Sequence, residues 1–66
     1  MVKIENREQV LRLKKGDILI DCSEGGIEQF RIREINDSIL IADGVQSMKF
    51  LTPDRLLTDD WYVKGH

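Results

Sequence analysis

The hydrophobic period of the chain changes at Gly16: before it apolar residues recur at helical spacing, and after it they alternate in short runs parted by turn residues. A chain with that switch is restricted to one short helix followed by a meander of short strands.

Residues 6–16 carry a helix with both ends marked. Asn6 caps the first turn, Gln9 three positions later completes a capping box, and Gly16 stands where a helix stops. Val10 and Leu13 share a face with Leu11 beside them, and Glu8 and Arg12 have the i,i+4 spacing of a surface ion pair.

Beyond Gly16, the run Asp17 to Cys22 sets Ile18, Ile20 and Cys22 on one face and Leu19 on the other. Ser23-Glu24-Gly25-Gly26 has hairpin-turn chemistry. Ile27 to Ile35 then sets Phe30 and Ile32 on one face and Gln29, Arg31 and Arg33 on the other. Asn36-Asp37 makes the next turn, Ser38 to Ala42 the third strand, and Asp43-Gly44 a two-residue hairpin loop with positive φ at both positions. Val45 to Leu51 is the fourth strand. Thr52 caps a helical turn over Pro53 to Leu57, favoured by Pro53 at its first position and Asp54 beside it. Asp59-Asp60 breaks that turn, and Trp61-Tyr62-Val63 supplies a fifth strand.

The expected fold is therefore α+β and mainly β: a short N-terminal helix, then a five-stranded antiparallel SH3-like barrel or curved sheet with a helical turn before the last strand. Apolar residues on both strand faces, with Leu19, Leu40 and Val45 opposite Ile18, Ile20 and Ile39, point to a buried subunit interface.

Size and cysteine usage agree with that expectation. With 66 residues the chain forms one domain, residues 1–66, and a domain of this size buries only roughly 60% of its unfolded surface. Staples for so thin a core are disulfides, metals or oligomerisation. One cysteine, Cys22, and one histidine, His66, leave oligomerisation, with no metal and no cofactor expected. No segment approaches a membrane span and the N-terminus lacks a signal-peptide pattern, so the expected location is the cytoplasm.

The net charge of −2 is unevenly spread: Lys3, Arg7, Arg12, Lys14 and Lys15 against Glu5 and Glu8 give residues 1–15 a charge of +3. The acidic total disfavours a dedicated nucleic-acid domain and leaves RNA or DNA binding as the third choice of function.

The residues do not assemble catalytic chemistry. A nucleophile needs a base beside it, and the single His66 is terminal, so Ser23, Ser38, Ser47 and Cys22 have no evident partner. Cys22 reads as a small buried hydrophobe. The carboxylate pairs Asp59 with Asp60 and Glu24 with Glu28 read as helix-stop and turn residues. Arg31 and Arg33 leave one strand face with Lys49 expected near them, and guanidinium groups suit phosphate oxygens. Trp61 and Tyr62 face opposite ways, so one packs the core and the other is free to stack on a ligand or a partner chain.

Two stretches, EQVLRLKKGDILI from Glu8 to Ile20 and LTPDRLLTDDWYV from Leu51 to Val63, together resemble the opening and close of a group of short phage proteins. Some of these are anti-Thoeris proteins, which sequester cyclic ADP-ribose-type immune signals without degrading them. The middle of the chain lacks the Gly-Trp that often follows the opening strand in that group. The resemblance implies a homo-oligomeric sponge in the host cytoplasm, with pockets between subunits that stack a base on an aromatic and hold phosphates with basic groups. It carries over Asp60 and Trp61 as ligand-binding residues, to which strand alternation adds Arg31, Arg33 and Lys49. The alternative is an SH3-like adaptor or a direct inhibitor of a host protein.

Overall fold

A computed structural model describes residues 1–22 and 25–64. The elements run β1 (Val2–Lys3), α1 (Arg7–Leu11), β2 (Ile18–Asp21), β3 (Glu28–Ile35), β4 (Leu40–Asp43), β5 (Met48–Leu51), α2 (Pro53–Thr58) and β6 (Trp61–Val63). All strand pairs are antiparallel and form one open sheet in the order β1-β6-β2-β3-β4-β5. The chain is thus mainly β, with six strands where the sequence suggested five. The additional one, β1, pairs Val2 with Val63 and Lys3 with Tyr62.

Both helices start as their caps dictate. Asn6 Oδ1 accepts from Gln9 N at 2.9 Å while Gln9 Oε1 accepts from Asn6 N at 3.1 Å, which closes the capping box. Thr52 Oγ1 accepts from Arg55 N at 3.2 Å at the head of α2. Helix α1 ends at Leu11, well before Gly16. The chain between them turns instead: Lys14 N donates to the Asp17 carboxylate at 3.1 Å, and Gly16, at φ 96°, passes its N–H to Ile32 O at 2.9 Å. Gly16 therefore delivers the chain into the sheet rather than closing the helix.

One sheet face and the two helices enclose the core. Leu19, Phe30, Ile32, Leu40, Ala42, Leu51 and Trp61 meet Ile4, Val10, Leu13 and Leu56, all buried. The core face of β2 is Leu19's. Ile20 is buried on the opposite face outside that cluster, and Cys22, expected to be buried with Ile18 and Ile20, is half-buried as Ile18 is.

A register shift between Ile32 and Glu34 marks a bulge at Arg33. The extra residue lets Ile32 and Ile35 pair with Ala42 and Leu40 on the core side, while Arg33 and Glu34 both stay exposed. Strict alternation would have driven Glu34 into the core.

The turns also differ from expectation. Asn36 Oδ1 accepts from Ser38 N and Ile39 N, and Asn36 N donates to Ile39 O, so the β3–β4 turn is centred on Asp37-Ser38. The β4–β5 turn is centred on Val45-Gln46, closed by Gly44 N donating to Ser47 O at 2.6 Å. Neither Asp43 nor Gly44 has positive φ. Gly44 is required for space: a Cβ there would lie 2.8 Å from the Phe30 ring.

Candidate functional site

The sheet is strongly curled around its core face. Lys49 on β5 stands opposite Ala42, on the buried side, and its Nζ reaches Asp21 Oδ2 on β2 at 3.0 Å. Strands three places apart in a flat sheet lie about 14 Å from each other, so the pair meets only because the edge folds inward. The ammonium sits 5.3 Å from the Phe30 ring centroid and 5.6 Å from that of Trp61, and the two rings are tilted with centroids 5.6 Å apart. Asp21 is the better shielded partner, its side chain 13% exposed against 37% for Lys49.

Trp61 is 1% exposed, and among the described residues its buried Nε1 meets no acceptor. It is therefore the indole of the core, and Tyr62, half-buried, faces the other side. Asp60 lies next to it in the α2–β6 turn, where Lys3 Nζ approaches Asp60 Oδ1 at 3.0 Å. Hydrogen bonding to Asp60, reinforced by its charge, raises the Lys3 pKa above its ordinary value.

Arg31 and Arg33 belong to the opposite, outer face. Arg33 forks onto Asp43, Nε to Oδ2 at 2.8 Å and Nη2 to Oδ1 at 2.7 Å, and that contact raises the guanidinium pKa further. Arg31 is exposed and makes no ion pair among the described residues.

The five residues singled out from sequence thus divide into three places. Lys49 and Trp61 come together at the core mouth, Asp60 pairs with Lys3, and Arg31 and Arg33 lie outside. The expected grouping of Lys49 with the two arginines is corrected by the bulge in β3. Moving the β3–β4 turn by one residue alone would set Arg33 opposite Ala42; the extra residue of the bulge at Arg33 brings Ile32 there instead, so Lys49 faces inward with the core. Ser23, Glu24 and His66 lie outside the described residues.

What the sequence reasoning missed is the outer surface of β5. Met48 is 47% and Phe50 61% exposed, on the same face as half-buried Ile41, which pairs with Phe50. The signal was available: in Met48-Lys49-Phe50-Leu51, burying Leu51 forces Phe50 out. Ile27 and Val45, also exposed, line an open cavity of about 490 Å³ with Gly26, Glu28 and Gln46.

Among the described residues no group of three or more His, Cys, Asp or Glu side chains could hold a metal ion, and no helix is long and apolar enough to cross a membrane. Compared with family models, curated proteins and solved structures, the chain shows no significant match.

Proposed function

We propose that the chain is a non-catalytic protein-contact module that works through the free edge and outer face of β5. The observation that carries this reading is the exposure of Met48 and Phe50 on a strand that has β4 on one side and, among the described residues, no partner on the other. Edge strands accept added strands, with main-chain hydrogen bonds supplying affinity and alternate side chains supplying selectivity. Protected edges carry charges, proline, a bulge or an inward-pointing charge. Within β5 there is no proline and no outward charge, and its one inward charge, Lys49, is matched by Asp21 at 3.0 Å, which leaves the outward face of the strand apolar. An SH3-like adaptor or inhibitor of a host protein in the cytoplasm would use such an edge.

A second reading is the sequestration of a cyclic nucleotide by a phage-type counter-defence protein, as the resemblance to the anti-Thoeris sponges implies. It is favoured by Arg31 and Arg33, exposed on the face that also presents the Phe50 ring. A base stacked on Phe50 and phosphates held by guanidinium groups would suit that face, with Arg33 surrendering Asp43 in exchange. Trp61 is too deeply buried to stack on a ligand without rearrangement.

Native mass spectrometry with a panel of cyclic nucleotides separates the two. A protein-contact module ignores the panel. Retention of an intact nucleotide, lost on Arg31→Ala/Arg33→Ala but indifferent to Met48→Glu, would overturn it in favour of the sponge.

A further inference from the structure

The free edge of β5 is complementary to itself. We infer that the protein it takes is a second copy of this chain, paired antiparallel across a two-fold axis through Lys49. This rests on the protein-contact function proposed above and names the partner.

Hydrogen-bond parity fixes the register. Gly44 N bonds to Ser47 O, so along the β4–β5 ladder Ala42 with Lys49 and Leu40 with Leu51 exchange main-chain bonds. The intervening residues, Met48 and Phe50, turn their N–H and C=O groups away from β4, and neither donates or accepts a main-chain bond elsewhere among the described residues. Two copies in antiparallel register place Met48 opposite Phe50 of the second copy, and Phe50 opposite its Met48. Both pairs are of the bonded kind, so four main-chain hydrogen bonds form.

The same register satisfies the side chains. With the axis perpendicular to the sheet, both outer faces remain on one side, and thioether meets phenyl ring twice in contacts favourable to sulfur. Lys49 falls on the axis opposite its own copy. Two lysines there would repel if free, but each Nζ is drawn inward to its own Asp21 at 3.0 Å. The other edge offers no such match: β1 is two residues long and carries Lys3.

A four-residue edge lies at the small end of protein interfaces, so the dimer is weak and concentration-dependent. Its register is tested by cysteine crosslinking in full-length protein carrying Cys22→Ser. Axial non-bonded pairs have Cα atoms about 4.5 Å apart, within disulfide reach. Lys49→Cys should therefore give a disulfide dimer on mild oxidation, at least tenfold faster than Phe50→Cys or Met48→Cys.

Sedimentation of the wild-type chain from micromolar to millimolar concentration gives the companion readout, without any change at Lys49. Dimerisation abolished by Met48→Glu/Phe50→Glu, with the circular dichroism unchanged, is the expected result. A wild-type chain monomeric throughout overturns self-pairing; the protein-contact function then stands or falls separately, on whether a strand-forming peptide bound at β5 protects the Met48 and Phe50 amides. A dimer indifferent to the double substitution, or crosslinked best through Phe50→Cys, overturns this register.

Discussion

Lys49 and Asp21 meet at 3.0 Å although β3 and β4 lie between their strands, and the pair draws the edge strand in over Phe30 and Trp61. This contact gives β5 its two characters: the inward side is charged and satisfied, and the outward side is apolar and open.

Because Asp21 is the more shielded of the two, taking away its cation should cost more than taking away the carboxylate. Lys49→Met is expected to destabilise by about 1–3 kcal/mol and Asp21→Asn by less, since the ammonium still reaches water. In the double variant Asp21→Asn/Lys49→Met, the thioether can pack on the two rings and much of the loss should return. Urea unfolding of the four proteins as a double-mutant cycle measures the coupling; additive losses would mean that the pair contributes nothing.

Gly44 packs against Phe30 so closely that a methyl group has nowhere to go. Gly44→Ala should cost about 1–3 kcal/mol through overpacking, whereas Gly26→Ala, with nothing within 4 Å, should be close to neutral. In a domain of this size each kcal/mol shifts Tm by roughly 4–8 °C, so thermal melts resolve the difference.

The helix caps should be worth about 1 kcal/mol each. Asn6→Ala removes the acceptor for Gln9 N, and Thr52→Ala the acceptor for Arg55 N. Chemical denaturation of both variants should show these losses, with Asn6→Asp and Thr52→Ser retaining most of the stability.

Lys3 should titrate above its ordinary value of 10.5, because Asp60 favours the ammonium. A raised folded-state pKa contributes stability that is fully present below the unfolded value and disappears as pH climbs through the folded one. The β1–β6 contact should accordingly loosen only above about pH 10.5. Side-chain NMR of Lys3 follows the titration, and Asp60→Asn should return it to the ordinary range.

Local signals in the sequence were faithful where one side chain acts on its own backbone. Asn6 with Gln9, and Thr52 with Arg55, set the helix starts through bonds spanning three residues. Signals that depend on register were less so. Asn36 takes two amides and moves its turn one residue along, which keeps every side chain on its face, whereas the bulge at Arg33 breaks alternation and so decides which side chains share Lys49's face. The Lys49–Asp21 contact was not legible at all, since it depends on how tightly six strands curl. Gly44 serves its turn by size rather than by conformation: hairpin glycines usually supply positive φ, but this one makes room for a ring supplied by another strand.

The most direct measurement is amide exchange along β5, followed by NMR from dilute to concentrated protein. A working edge gives Met48 and Phe50 amides that exchange freely when dilute and become protected as concentration rises, while Lys49 and Leu51, bonded to β4, stay protected throughout. Met48 and Phe50 amides that exchange equally fast at every concentration, and remain so when a strand-forming peptide is added, would contradict a contact function for this edge.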